Sequence, residues 1–363
     1  MKVIAHIARL ITGAIFVFSG AIKINDPVGT KIKLEEYFDV FSQDFSFMAG
    51  FWHALVPFSL YFAIFLCALE VILGAALLLQ FKMKQTTIAL IALCVFFAFL
   101  TFYSAYYNKV TDCGCFGETI KLAPWTSFWK DIFLLVMLVI IYSQIKVFVN
   151  KDSLLLVAIV SVLTFGAGIY AYMHLPFFDG LAYKVGDSIV ANRKPSAPLQ
   201  FKYIVEKDGK TFEFEKYPTD TTYKYKEMIL MNEDAKPKIT DYAVWNNQGD
   251  FTEETFVGSK LFFIIGDVAK ASPNAVEGLK TLAQSMVGSG IANWVLTSTS
   301  EAEYQAFIQK SKLTLPFYFS DTKVLKTICR SNPGVWLLKD GIVKGKWHYN
   351  DIPSKEEVLE LLK

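Results

Sequence analysis

Long apolar stretches are concentrated in the first half of the chain, whereas the second half has the mixed pattern of a soluble protein. A helix needs ~20 mostly apolar residues to cross ~30 Å of hydrocarbon. Five segments meet this requirement: Val3–Ile22, Ala54–Phe81, Thr86–Tyr107, Ile132–Val149 and Leu154–Met173. The pattern therefore predicts five membrane-spanning helices and a boundary near Gly180, where an Asp-Gly turn signal follows the last of them.

Basic residues near the ends of these segments predict an orientation. The short turns after the second and fourth spans carry lysines, namely Lys82, Lys84, Lys146 and Lys151. Because basic residues are enriched in cytoplasmic loops, we expect the N-terminus and both turns in the cytoplasm. The loops Lys23–His53 and Asn108–Lys130 and the C-terminal half would then lie outside, in the periplasm of a bacterium whose inner membrane holds the protein.

The segment Leu34–Trp52 in the first outer loop combines many Phe and Tyr residues with acidic side chains. Two structures fit this composition. One is an amphipathic helix that lies in the membrane interface, and the other is a cap that packs onto the helical bundle. Neither structure implies any chemistry.

The last part of the chain, residues 256–363, alternates strand and helix patterns as an α/β domain does. The predicted strands are Lys260–Gly266, Ala292–Thr297, Phe317–Phe319, Val335–Lys339 and Ile342–Trp347, and the predicted helices are Asn274–Val287, Glu301–Ser311, Lys323–Cys329 and Ser354–Leu362. The pair Asp340-Gly341 between the last two strands signals a hairpin. Residues 181–255 predict an accessory β-rich segment without chemistry of its own.

Composition narrows the class of protein. Hydrophobic residues make up 53% of the chain and charged residues only 19%, which is more apolar than soluble domains usually are. The net charge of +2 is too small for a nucleic-acid footprint. No ATP-binding loop, metal-ligand cluster or hydrolytic triad is visible in the sequence. We therefore expect a lipid bilayer as a partner, and neither a nucleic acid nor a metal.

Three ionisable residues, His6, Arg9 and Glu70, lie within predicted spans, where an isolated charge costs at least ~3 kcal/mol. Glu70 lies in the middle of its span and requires a partner. Arg9, or Lys23 near the outer end of the first span, could provide the countercharge; otherwise desolvation keeps Glu70 protonated. The candidate cluster of Arg9, Lys23 and Glu70 is thus either a structural ion pair between helices or a functional site for protons or a quinone.

The chain has five cysteines, and two of them stand close together in the outer loop after the third span. Cys113 and Cys115 fit a redox pair, a structural bond to other cysteines, or a metal site shared with a partner protein. A metal site lacks a nearby Cys or His to complete a tetrahedral set. Cys67 and Cys94 fit buried apolar residues or a relay to the outer pair, and Cys329 fits a buried structural thiol.

The first half of the chain resembles a known family. The residues that carry the resemblance are Arg9–Lys23, Glu70–Gly74 and Cys113-Gly114-Cys115-Phe116-Gly117, and they are similar to the DoxX/MauE superfamily, in particular to Bacteroidota-type DoxX family proteins. The resemblance implies a four-helix membrane unit over residues 1–150, followed by a fifth membrane helix and linker over residues 151–180. It also implies disulfide handling during maturation of a periplasmic enzyme, or quinone-dependent sulfur oxidation. Cys113 and Cys115 would be the thiol pair, and Arg9, Lys23 and Glu70 match recurring polar positions.

The order of elements in residues 256–363 resembles the thioredoxin superfamily, and Ile239–Lys260 is similar to the entry of TlpA-type redoxins. The resemblance implies that Pro333 is the cis-proline of that superfamily. At the place of the redox CxxC motif stands Ala271-Ser272-Pro273-Asn274, so both cysteines are absent. Because a thiolate is the nucleophile of disulfide exchange, this domain cannot run the two-cysteine cycle. We expect it to bind or position a partner protein, or to dock on the loop of Cys113 and Cys115.

Two functions from different classes follow. In the first, the protein is a thiol–disulfide oxidoreductase of the inner membrane, in which Cys113 and Cys115 exchange with a periplasmic client and pass electrons toward a membrane quinone. In the second, the protein is a non-enzymatic membrane scaffold whose degenerate thioredoxin-like domain binds a periplasmic or membrane protein. In that case Cys113 and Cys115 serve the structure alone.

Overall fold

The computed structural model of the chain describes residues 2–110, 114, 117 and 122–363. It divides into two units, Met1–Gly180 and Leu181–Lys363. The first unit is helical, and the strands described below all belong to the second unit.

Seven helices form the first unit. They are α1 (Lys2–Asn25), α2 (Pro27–Asp44), α3 (Ala49–Leu55), α4 (Ser59–Leu78), α5 (Met83–Tyr107), α6 (Pro124–Ser143) and α7 (Leu154–Met173). Five stretches are long and apolar enough to cross a membrane: α1, the stretch Ser46–Leu78 that ends with α4, α5, α6 and α7. Each of the five predicted spans overlaps one of them; α2 lies in the first predicted loop, and α3 belongs to the stretch Ser46–Leu78, which begins inside that loop.

Two of the spans have a proline near the start of the helix, and both helices begin at residues other than the predicted ones. The fourth span begins at Pro124 instead of Ile132 and ends at Ser143 instead of Val149. Proline suits the first turn of a helix because its missing N–H has no partner there in any helix. In the second span Pro57 lies in a short 3-10 turn, and the regular helix α4 begins only at Ser59. Hydropathy alone did not reveal either helix start.

Helix α2 packs onto the bundle, so the predicted cap is the structure that forms. The Asp26 side chain accepts a hydrogen bond from the Gly29 N–H at 2.9 Å and thereby caps the start of the helix. Leu34, Tyr37 and Phe41 are buried, and the last two form a cluster with Leu100 and Tyr103 of α5 and with Val110. This packing places α2 over the ends of the spans that surround the site described below.

Helices α1 and α4 approach each other closely at glycines. A Cβ atom on Gly20 would lie 2.7 Å from the Val71 Cγ2 atom and 2.9 Å from the Cys67 carbonyl oxygen. A Cβ atom on Gly74 would lie 3.0 Å from the Gly13 carbonyl oxygen. Small residues of this kind let membrane helices associate through van der Waals packing, because lipid offers no hydrophobic driving force between them.

The second unit contains ten strands. They are β1 (Phe201–Lys207), β2 (Lys210–Phe214), β3 (Lys224–Leu230), β4 (Trp245–Asn246), β5 (Gly249–Asp250), β6 (Ser259–Ile264), β7 (Ala292–Thr297), β8 (Phe317–Phe319), β9 (Gly334–Lys339) and β10 (Ile342–His348). Helices α8 (Ile189–Asn192), α9 (Pro273–Ser285), α10 (Glu301–Ser311), α11 (Thr322–Ile328) and α12 (Lys355–Glu360) complete it. Strands and helices after residue 256 fall within a few residues of their predicted positions.

The larger sheet has the strand order β10-β9-β6-β7-β8-β4-β5. Strands β6, β7 and β8 run parallel, β9 pairs antiparallel with β6, and β10 pairs antiparallel with β9. The central strand β6 is buried on both faces, as parallel strands covered by helices are. The Asn332–Pro333 bond is cis, as predicted, and Asp340 and Gly341 both have positive φ in the predicted hairpin turn.

The segment 181–255 has two parts in the structure. Strands β1, β2 and β3 form a separate three-stranded antiparallel sheet in the order β2-β1-β3. The short strands β4 and β5, by contrast, extend the larger sheet at its β8 edge. The segment thus contains five strands, and the last two of them belong to the neighbouring sheet.

Candidate functional site

An enclosed cavity of about 70 Å³ lies among α1, α2, α4, α5 and α6. Its walls combine apolar side chains with a set of charged, hydroxyl and thiol groups: Ser19, Lys23, Thr30, Lys33, Tyr37, Cys67, Glu70, Cys94, Thr101, Lys130 and Asp131. Since a cavity of ~10–15 Å³ already holds one water molecule, this one can hold several. Charged and hydroxyl side chains of the membrane unit therefore meet around one cavity whose surface is mostly apolar.

Lys23 and Glu70 form an ion pair in one wall of this cavity. The Lys23 ammonium donates to Glu70 Oε1, and the Ser19 hydroxyl donates to Glu70 Oε2 at 3.0 Å. The side chains of Lys23 and Glu70 are only 8% and 2% exposed. Of the two countercharges that the sequence offered to Glu70, the structure selects Lys23.

Arg9 lies elsewhere and is not part of this group. The prediction that Arg9 clusters with Lys23 and Glu70 is therefore wrong. Its guanidinium donates to the carbonyl oxygens of Leu77 at 3.2 Å and Leu78 at 2.5 Å, which end α4. Arg9 and Lys23 are about four turns, or ~21 Å, apart along α1, so they cannot share one partner. Arg9 thus satisfies carbonyl groups that a helix end leaves unpaired.

The opposite wall holds a second charged group, which the sequence analysis missed. The Lys130 ammonium is 3.0 Å from Asp131 Oδ1, and the Thr101 hydroxyl donates to Asp131 Oδ2 at 3.0 Å. Asp131 is buried. The predicted fourth span began at Ile132, which left Lys130 and Asp131 in the loop; Pro124 was the signal that the helix begins earlier.

All three cysteines outside the outer loop are buried thiols. Cys67 and Cys94 line the cavity, where the Cys67 thiol donates to Thr30 Oγ1 at 3.8 Å and the Cys94 thiol to the Asp131 carbonyl oxygen at 3.2 Å. Cys329 belongs to the second unit, and its thiol donates to the Trp347 carbonyl oxygen at 3.7 Å. The apolar and relay predictions for Cys67 and Cys94 both remain predictions.

The predicted thiol pair, Cys113 and Cys115, lies outside the described residues. Gly114, which stands between them in the sequence, is described and lines the cavity. A Cβ atom on Gly114 would lie 3.1 Å from the Lys33 Cγ atom, and the φ of Gly114 is +62°. The Gly117 N–H donates to the Gly114 carbonyl oxygen at 2.9 Å.

Asp44, the last residue of α2, contacts α5 and the segment that follows it toward this loop. Its carboxylate accepts hydrogen bonds from the Lys109 ammonium and the Tyr103 hydroxyl. The Lys109 ammonium, and after it the Tyr103 hydroxyl, hold the pKa of Asp44 below its ordinary value. A carboxyl with a lowered pKa stabilises the folded state above its unfolded pKa of ~3.9, and this contribution disappears as the pH falls through the lowered value.

We therefore expect Asp44→Asn to speed amide hydrogen exchange in the last turn of α5 at pH 7. The difference from the natural protein should vanish as the pH falls below the lowered pKa of Asp44, because protonation removes the same contacts. Asp39→Asn, an exposed carboxyl one turn earlier on α2, is the matched control and should exchange normally. Equal exchange in all three proteins at pH 7 would contradict the role of Asp44.

In the second unit, residues 271–274, which the thioredoxin resemblance equates with a CxxC motif, lie at the start of α9. Ser272 precedes the helix and Pro273 opens it, and no thiol is present at 271–274. Two hydrogen bonds join the nearby end of β6 to the cis-proline segment: Asp267 N–H to Asn332 Oδ1 at 3.2 Å, and Asn332 Nδ2 to the Asp267 carbonyl oxygen at 2.8 Å. Within the described part of the chain, no group of three His, Cys, Asp or Glu residues could hold a metal ion.

Comparison with known proteins assigns a family to the membrane unit. Residues 1–144 match the family of methylamine utilisation protein MauE. None of the curated proteins matches the chain. The matched range contains every residue that lines the cavity. Residues 1–144, about two-fifths of the chain, are therefore similar to the MauE family, which supports a MauE-like membrane protein.

Proposed function

We propose that the protein is an inner-membrane thiol–disulfide oxidoreductase that acts on a periplasmic client through Cys113 and Cys115. One observation supports the proposal: Gly114, the residue between the two cysteines in the sequence, lines the same cavity as Lys23, Lys33 and Lys130, within the range that matches the MauE family. Thiols close to basic groups are the ones that become reactive. The proposed orientation puts this loop and the C-terminal unit on the periplasmic side.

The proposed exchange balances between two dithiol–disulfide couples. A thiolate of the client attacks the disulfide of Cys113 and Cys115, and a mixed disulfide forms while the other cysteine leaves as a thiolate. The second client thiolate then attacks this mixed disulfide. The client ends as a disulfide, having lost two electrons and two protons, and Cys113 and Cys115 end as thiols, having gained them.

Reoxidation of the pair needs an acceptor of two electrons, and a membrane quinone is the class that the family resemblance implies. The cavity does not fit a quinone ring, since its volume of about 70 Å³ is below the ~150 Å³ of a protein cavity that binds benzene. We therefore route no step through a quinone in the cavity. Such an acceptor would have to meet the thiol loop from the surrounding lipid.

We further propose that residues 256–363 form a thioredoxin-like domain that positions the client. The parallel strands β6, β7 and β8, the antiparallel β9 and β10 and the cis bond before Pro333 support this fold. Since residues 271–274 contain no cysteine, the domain contributes binding and leaves the redox step to Cys113 and Cys115.

Thiol trapping in living cells tests the oxidoreductase. We expect Cys113 and Cys115 to change between alkylatable and protected states when respiration is stopped and restored. The single variants Cys113→Ser and Cys115→Ser each lack the disulfide that the client thiolate attacks, so the client should accumulate in its reduced form. Cys329→Ala, which removes a buried thiol of the other unit, is the matched control and should leave both results unchanged. A pair that never changes its redox state would refute the proposal.

The missing redox cysteines at 271–274 also favour the alternative, a non-enzymatic membrane scaffold. In that case Cys113→Ser/Cys115→Ser should reduce the amount of protein in the membrane, because the cysteines would serve the structure. If the protein is an oxidoreductase, this double variant should instead have normal abundance and should form no mixed disulfide with the client. A reporter fused after Lys363 checks the shared location, since a cytosolic reporter would separate the soluble unit from the thiol loop.

A further inference from the structure

The two walls of the cavity repeat one arrangement of side chains. On one wall a lysine, a carboxylate and a hydroxyl meet as Lys23, Glu70 and Ser19. On the other wall the same three groups meet as Lys130, Asp131 and Thr101. We call each set a Lys-carboxylate-hydroxyl triad. The triads come from four different helices, α1 and α4 on one side and α5 and α6 on the other.

The Lys23–Glu70 pair is poorly explained as a device for holding helices together. Helices α1 and α4 already interlock at Gly13, Gly20 and Gly74. Replacing a buried ion pair by apolar groups is often neutral or stabilising, because the desolvation cost of two charges offsets their attraction. Moreover, both partners line a cavity that has room for water, in addition to contacting each other. Ionisable groups that persist at such a position in a membrane typically serve a functional path.

The hydroxyl in each triad permits its carboxyl group to hold or release a proton. A serine or threonine hydroxyl can donate a hydrogen bond and can also accept one. Ser19 donates to the Glu70 carboxylate, and after protonation of Oε2 the same hydroxyl can accept from it. The lysine continues to donate to the other carboxyl oxygen in both states. Each carboxyl group therefore keeps two partners whether or not it is protonated.

We propose that Glu70 and Asp131 are proton-transfer residues that serve the thiol loop through water in the cavity. This inference rests on the proposed exchange, in which two protons leave the client and two reach Cys113 and Cys115. The cavity offers two carboxylates for two protons, has room for water, and has Gly114 in its wall. Each client thiol passes its proton into the cavity, and each departing cysteine thiolate takes one from it.

Other ionisable groups line the cavity together with Glu70 and Asp131. Lys33 of α2 lines the cavity and is paired with Glu36 at 2.9 Å, so the two largely compensate each other. The remaining titratable groups on the walls are Tyr37 of α2, Cys67 of α4, Cys94 of α5, and the two lysines of the triads. Within the described residues, Glu70 and Asp131 are the carboxyl groups that line the cavity.

The test is the pH profile of thiol exchange in the full chain, reconstituted in lipid nanodiscs. Reduction of the pair by dithiothreitol is followed between pH 5 and 9 by alkylation of Cys113 and Cys115. We expect Glu70→Gln and Asp131→Asn each to slow the reaction about tenfold or more at pH 7 and to remove one inflection from the profile, since general acid–base catalysis contributes ~100-fold or more. The double variant should lose both inflections.

Two controls separate proton transfer from structural damage. Glu35→Gln removes a carboxylate of the partly exposed Lys31–Glu35 pair on α2, which does not line the cavity, and should leave the profile unchanged. Infrared difference spectra of the natural protein need no cavity variant. Oxidation of the reduced pair should change the C=O stretching band of protonated carboxyl groups, and this change should be absent in Cys113→Ser/Cys115→Ser.

Failure of the proton-transfer role and failure of the oxidoreductase function would give different results. Exchange with an unaltered pH profile in both carboxyl variants, or infrared spectra without a carboxyl change, overturns the proton-transfer role and leaves the oxidoreductase standing. A profile that depends on Glu70 in nanodiscs, combined with a pair that never changes its redox state in cells, overturns the oxidoreductase and supports proton transfer to the thiols.

Discussion

Replacing Lys23 by Met should lower the free energy of unfolding of the membrane unit by about 3–5 kcal/mol at neutral pH, as removal of one partner of a buried ion pair does. The substitution keeps a similar apolar stem and leaves the Glu70 carboxylate, whose side chain is 2% exposed, with the Ser19 hydroxyl. Unfolding in mixed micelles of a denaturing detergent measures this loss.

The double variant Lys23→Met/Glu70→Met is the control for this prediction. It removes both charges and fills their space with apolar groups, so its stability should be close to that of the natural protein or above it. A double variant as unstable as Lys23→Met would mean that the ion pair itself holds the fold together. Recovery of stability without recovery of thiol exchange would agree with a functional reason for the pair.

Replacing Gly20 by Ala should destabilise the membrane unit by about 1–3 kcal/mol, the usual cost of overpacking a close contact. The new Cβ atom would lie 2.9 Å from the Cys67 carbonyl oxygen, which belongs to the backbone and cannot turn aside as a side chain can. Helices α1 and α4 would have to separate. That movement would also disturb the neighbouring contact between Lys23 and Glu70. The same unfolding measurement tests this prediction.

Gly166→Ala provides the matched control. Gly166 lies within α7, and a Cβ atom there would meet nothing within 4 Å. The same substitution should therefore be neutral, or stabilise the helix by up to ~1 kcal/mol, because Ala favours a helix more than Gly does. Similar effects of the two substitutions would show that the close approach at Gly20 is not what makes it sensitive.

The structure changes how the charged residues of the membrane unit are understood. Sequence reasoning grouped Arg9 with Lys23 and Glu70, but Arg9 satisfies the carbonyl groups that end α4. Asp131 lines the same cavity as Lys23 and Glu70. The two triads therefore share one cavity with Gly114, the residue between the two loop cysteines.

Much of the fold could be predicted from local patterns. Five apolar stretches are long enough to span a membrane whatever their neighbours are, because the cost of exposed backbone in lipid makes each of them a helix. In residues 256–363 the alternating strands and helices and the Asp340-Gly341 turn appear where the sequence places them. The lack of cysteines at 271–274 is likewise a property of the sequence alone.

The sequence by itself thus determined which segments are helices and strands and which thiols are present or missing, because these depend on the composition of short stretches. Only the tertiary structure decided that Lys23, and not Arg9, meets Glu70, that Asp131 faces the same cavity, and that α2 covers the bundle. The physical reason is that a membrane helix is apolar on all sides, so hydropathy does not reveal its rotation. Close packing at glycines such as Gly20 and Gly74 sets that rotation, and it involves residues far apart in the chain.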